Sequence, residues 1–107
     1  IMKIKIISKF KSEINGVEIS DERVHNSIVE ILEALEKKFQ KELNSQFIED
    51  LAYALENFDG YLEVMDEIMY SISIANSIQE LEFDYSQLFE GLFDNINQNF
   101  KSNSYLN

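Results

Sequence analysis

Apolar residues recur every third or fourth position through the first half of the chain: Val24, Ile28, Ile31, Leu32, Leu35, Phe39 and Leu43. That spacing puts them on one face of a helix. Ser20 and Asp21 stand just before it as candidate N-caps, and Asp21 and Glu22 suit the positive end of a helix dipole. Glu33 and Lys37, four apart, form a favourable pair on the outer side. Nearer the N-terminus the period changes to two. Met2, Ile4, Ile6, Phe10 and Ile14 are even-numbered, while Lys3, Lys5, Lys9, Lys11 and Glu13 are odd, with Ile7 the one exception. Alternation of this kind predicts a strand with one apolar and one charged face. Asn15-Gly16 follows, and both residues tolerate the positive φ of a tight hairpin turn. A two-residue turn there pairs Ile14 with Val17 and Ser12 with Ile19, which brings Val17 and Ile19 onto the same apolar face. A lone hairpin is marginal in water, so that face is expected to lie on helices.

Asn44 and Ser45 break the first helix and can cap a second, whose face is Phe47, Leu51, Ala54, Leu55 and Phe58, with Glu49 and Asp50 in its first turn. Gly60 is expected as the left-handed residue that closes it. Tyr61, Leu62, Met65, Ile68, Met69, Ile72, Ala75 and Ile78 make a third face. Within it Tyr70, Ile72 and Ile74 alternate with Ser71 and Ser73 in a strand pattern. The three-four spacing spans the whole segment, so helix is favoured. The stretch 80–86 reads as a polar break with Leu81 and Phe83 tucked inward. Asp84 and Gln87 have capping-box spacing for a fourth helix, with Leu88, Phe89, Leu92, Phe93, Ile96 and Phe100 on its face. The polar stretch 101–107 is expected to fray. The pattern thus predicts an α+β fold in one domain over 1–107: an N-terminal β-hairpin (2–20) packed on a bundle of about four helices (about 22–43, 46–58, 61–79 and 85–100).

Composition narrows the function classes. With 107 residues and 45% hydrophobic positions the chain can bury one core. It has no cysteine, hence no disulfide, thiolate nucleophile or thiolate metal site. A net charge of −11 argues against direct binding to nucleic acid or an anionic membrane through bulk electrostatics. Lys and Ser interrupt Ile4, Ile6 and Ile7, so no secretory signal is expected, Met2 reads as the natural start, and no membrane-spanning run is present. A cytoplasmic location is the expectation.

The charges are segregated along the chain. Lys3, Lys5, Lys9 and Lys11 precede the first acid, Glu13, and from Glu42 to Phe100 there is no Lys or Arg at all. Acids at helix N-termini account for Glu49, Asp50, Glu63 and Asp84, but the same dipole argument calls for cations at the C-termini. The candidate partner-binding surface is therefore acidic: Glu49, Asp50, Glu56, Asp59, Glu63, Asp66 and Glu67. The four strand lysines read as edge protection against unwanted strand pairing; a functional version has them grip an anion or the acidic half of another copy.

The segment 57–66 has the outline of the middle of an EF-hand calcium loop, with Gly60 as the turn glycine and Asn57 and Asp59 as ligands before it. Leu55 stands at the first ligand position and Asp66 where the bidentate Glu belongs, so a helix–Gly–helix turn is the better reading. His25 is the single histidine, and there is no glycine-rich phosphate loop. Met65 and Met69 fall at core spacing. No catalytic, cofactor-binding or metal-binding residue is assigned. The expected function is a non-enzymatic acidic protein-binding module that engages a basic protein partner. An inhibitor, antitoxin or immunity-type protein that masks a nucleic-acid-binding surface has this charge layout. The alternative is a small self-associating assembly protein, such as a homodimer, whose acids serve only solubility.

Overall fold

The computed structural model describes residues 2–57, 60–95 and 104–107. Three strands, β1 (Ile4–Ser8), β2 (Lys11–Ile14) and β3 (Val17–Ile19), precede four helices, α1 (Glu22–Phe39), α2 (Ser45–Asn57), α3 (Tyr61–Ile74) and α4 (Ile78–Asn95). The fold is α+β, an N-terminal antiparallel sheet on a helical bundle.

The β2–β3 hairpin has the anticipated register, with Ile14 opposite Val17 and Ser12 opposite Ile19. Asn15 (φ 49°) and Gly16 (φ 83°) both lie in the left-handed region, as the turn requires. A Cβ added at Gly16 would meet nothing within 4 Å, so glycine serves backbone freedom there and not space.

The N-terminal strand is not continuous. The chain reverses at Lys9-Phe10, so β1 folds back along β2, pairing Ile4 with Ile14 and Ile6 with Ser12. The register shifts between Ile6 and Ser8, and the sheet is a meander ordered β1-β2-β3. The sheet packs on α1 through β2 and β3 and on α2 through β3, which leaves β1 outboard. The expected single apolar face is therefore split. Ile14, Val17 and Ile19 are buried, whereas Ile4 (44%), Ile6 (69%), Ile7 (45%) and Phe10 (62%) are exposed.

Helix boundaries follow the caps. Asp21 caps α1, its carboxylate accepting from the N–H groups of Arg23 (2.8 Å) and Val24 (3.2 Å). Gln40, left-handed at φ 52°, closes α1, so the helix ends at Phe39 and Leu43 is buried from the following connection. The Asn44 side chain accepts from Phe47 N–H at 3.2 Å and starts α2. Gly60 has φ −84° and precedes α3; it is not the left-handed closure expected of it. Residues 70–74 are helical. α3 then stops at Ile74 and α4 begins at Ile78, earlier than expected, because Ser77 is the cap. Its hydroxyl accepts from Glu80 N–H (3.2 Å), and the Glu80 carboxylate accepts from Asn76 N–H (3.1 Å). Asp84 and Gln87 lie inside α4, Leu81 is buried and Phe83 is 62% exposed.

No basic residue occupies the last turn of α2, α3 or α4. For α3 the cation comes from α1: Lys38 Nζ donates to the carbonyls of Ile72 (2.6 Å) and Ser73 (2.9 Å). The unsatisfied carbonyls at the negative end of α3 thus find donors across the bundle.

The core gathers around Phe47. Its ring stacks on Tyr85 at 5.5 Å and meets Tyr105 edge-on at 5.5 Å, with Phe89 at 6.0 Å. Residues 104–107, expected to fray, include one of these core rings. Tyr105 is fully buried; Asn44 N–H donates to its carbonyl at 2.8 Å and Asn44 Nδ2 to that of Ser104 at 2.8 Å. Positions Phe58, Asp59, Ile96, Phe100 and 101–103 lie outside the described residues. Among the described residues no helix is long and apolar enough to cross a membrane.

Candidate functional site

The outer side of α3 is built by its own periodicity. Val64, Met65, Ile68 and Ile72 turn into the core. Leu62, Asp66, Tyr70 and Ile74, each four residues on, run together along the opposite side, flanked by Glu63 and Glu67. Leu62 (74%), Tyr70 (64%) and Ile74 (58%) are exposed, and so are Glu63, Asp66 and Glu67. The three acids are brought together as anticipated, but Leu62, expected among the core residues, stands outside with them. The surface is therefore acidic and apolar at once. At its N-terminal end the Arg23 guanidinium stacks on Tyr61, 4.2 Å from the ring centroid. The Tyr61 hydroxyl meets Ser27 Oγ and donates to the Arg23 carbonyl at 3.0 Å. These contacts pin the start of α3 to α1, and partial burial raises the Tyr61 phenol above its ordinary pKa.

The other expected site residues separate. Glu49 and Glu56 are exposed on α2. Partial desolvation, and then the Asp21 carboxylate nearby, hold the Glu56 carboxyl above the usual carboxylate range. Asp50 is buried at 8% exposure and does not belong to an exposed surface. Its carboxylate accepts from the Tyr105 hydroxyl at 2.6 Å and from Gln46 Nε2 at 3.0 Å. A buried carboxylate needs such donors, and Tyr105 supplies the stronger one. Burial, reinforced by that hydrogen bond, pushes the Tyr105 phenol far above its ordinary pKa. The periodicity held the signal, since Phe47, Leu51 and Ala54 bracket Asp50 at three-four spacing. Asp59 lies outside the described residues.

A second face lies on the sheet. β1 is exposed along its length, as are Lys3, Lys5, Lys9 and Phe10. Asn15 N–H donates to the Lys3 carbonyl at 2.8 Å, so Lys3 and Asn15 form a hydrogen-bonded pair. Bonded and non-bonded pairs alternate in an antiparallel ladder, which leaves the backbone groups of Ile4 and Ile6 facing the open edge. Lys11 is engaged with Glu18 at 2.5 Å, and that hydrogen bond raises its ammonium pKa. Lys9 Nζ lies 5.2 Å from the Phe10 ring centroid. The exposure of apolar side chains beside these lysines is what the alternating sequence pattern concealed.

Between the sheet and the start of α1 is an open cleft of about 230 Å³ lined by Ile6, Lys9, Phe10, Asp21 and His25, among others. Ser12 Oγ and His25 Nδ1 are 2.7 Å apart in it. A hydroxyl on an imidazole begins a nucleophile–base pair, but such a pair needs a third group to orient the ring. Among the described residues no carboxylate is hydrogen-bonded to His25. The contact ties β2 to α1.

Of the calcium-loop outline, the ligand position Asp59 lies outside the described residues. Leu55, at the first ligand position, is buried, and Leu62, at the apolar position after the glycine, is exposed. The Asn57 amide donates to the Tyr53 carbonyl at 2.9 Å. Among the described residues no three His, Cys, Asp or Glu side chains gather as a metal site.

Comparison of the chain with protein-family models, with curated proteins and with solved structures finds no match.

Proposed function

We propose that the protein is a non-enzymatic protein-binding module that engages a basic, partly apolar partner surface through the outer face of α3. The observation that carries this reading is the interleaving of exposed Leu62, Tyr70 and Ile74 with exposed Glu63, Asp66 and Glu67. Acids kept for solubility alone have no use for three large apolar side chains among them, since isolated charge keeps a surface wet without apolar neighbours. Apolar residues ringed by charge suit an interface, where burial gives affinity and charge gives orientation and rate. A nucleic-acid-binding protein offers such a basic partner surface, and masking it is the work of an inhibitor, antitoxin or immunity-type protein.

The test is capture from an extract of the source cell on the immobilised protein and on its Glu63→Lys, Asp66→Lys, Glu67→Lys variant, followed by mass spectrometry. The reading predicts a basic protein held by the parent and missing from the variant. No captured protein, or the same proteins on both supports, overturns it.

A further inference from the structure

The two exposed faces are complementary. One is the outboard edge at β1 and its turn, where Ile4 and Ile6 alternate with Lys3 and Lys5 on the two sides of the strand and Ile7, Lys9 and Phe10 are exposed beyond them. The other is apolar and acidic: Leu62, Tyr70 and Ile74 with Glu63, Asp66 and Glu67 on α3. They belong to different parts of the fold, because β2 and β3 carry the sheet's packing on α1 and α2, while α3 packs on α1, α2 and α4. We infer that the β1 strip docks on the α3 face of a second copy of this chain. The inference rests on the α3 face being a binding surface and names one occupant for it.

Three observations select that occupant. The strip is basic on a chain of net charge −11, so it is attracted to the acidic surface of another copy. Its lysines, on alternate positions of an open edge, oppose pairing with an identical strand, which disfavours a symmetric β1–β1 dimer. Its four apolar side chains, between 44% and 69% exposed, need an apolar counterpart, and the α3 face supplies one among charges of the opposite sign. The resulting contact is heterologous: each copy offers one strip and one face. Association therefore continues past two copies unless a ring closes. Because the same α3 face serves a basic partner, self-association and partner binding exclude one another.

The experiment is sedimentation velocity at several concentrations and two salt levels. It uses the parent, a Lys3→Glu, Lys5→Glu, Lys9→Glu variant and the Glu63→Lys, Asp66→Lys, Glu67→Lys variant, with far-UV circular dichroism to confirm the fold. Single reversals, Lys5→Glu and Asp66→Lys, stand in should either triple variant fail to fold. The parent should gain mass with concentration at low salt and lose it at high salt. Each reversal alone should weaken association by about tenfold or more, through like-charge contact. An equal mixture of the two variants should associate again, because the acidic strip of one now meets the basic face of the other. A parent that stays monomeric overturns the inference and leaves the α3 reading to the capture experiment. Association lost on reversing the acids but kept on reversing the lysines also overturns it, while supporting the α3 face as a binding surface. Association lost on reversing only the lysines, or a mixture that does not recover, places the docking elsewhere and overturns it as well.

Discussion

Tyr105 and Asp50 show how one residue pair decides a structure. The hydroxyl of Tyr105 donates to a carboxylate buried at 8% exposure, and its ring closes the aromatic cluster around Phe47. Hydrogen bonds to charged groups contribute more than neutral ones. Tyr105→Phe keeps the ring and removes the donor, leaving Asp50 with Gln46 alone, and should cost about 2 kcal/mol in urea unfolding. The same residues set an alkaline limit. Burial raises the phenols of Tyr85 and Tyr105 above their ordinary pKa in the folded state. The unfolded chain then ionises first, so their contribution is intact below about pH 10 and is lost as pH rises past that value. The urea midpoint should fall between about pH 9 and pH 11, and less steeply in Tyr105→Phe than in the parent.

At the scale of elements, caps govern where helices begin and end, and Lys38 joins two of them. Its ammonium serves the C-terminal carbonyls of α3 from the last turn of α1. Lys38→Met should lower stability by about 1 kcal/mol, whereas Lys41→Met, at an exposed position, should leave the urea midpoint unchanged. This contact also answers why α3 carries no cation of its own, which a reading along the chain cannot see. Helical faces were legible because three-four spacing survives any tertiary arrangement, and the Asn15-Gly16 turn because few residues accept its φ values. The reversal at Lys9-Phe10 was hidden. It holds no Gly, Pro, Asn or Asp, and the even-numbered apolar pattern runs straight through it. The start of α4 was readable in Ser77 and Glu80, yet Asp84 and Gln87 offered the same spacing. Docking of Tyr105 left little local signal, since it and Leu106 are the only apolar residues of a polar stretch, and its partners are 55 and 58 residues away in sequence at Asp50 and Phe47. Of the expected acidic site, the α3 acids were legible from helix period. The charge of Asp50 points to the surface, while its spacing from Phe47 and Ala54 places it inside.

Over the whole molecule the charge layout has a consistent physical sense. The acids of α3 are exposed, crowded and without Lys or Arg anywhere in the stretch 43–100, so they repel one another. Retaining them beside exposed Leu62, Tyr70 and Ile74 is understandable when that face meets a basic and apolar surface. The most direct measurement of this claim is the association rate between the protein and the partner it captures, followed against ionic strength for the parent and for the Glu63→Lys, Asp66→Lys, Glu67→Lys variant. Exposed charges are screened over roughly 10 Å at 0.1 M salt, and steering by such charges acts mainly on the association rate. The account predicts a rate for the parent that falls steeply as salt rises, and a slower rate for the variant that does not. Equal rates for the two proteins, with no dependence on salt, would contradict it.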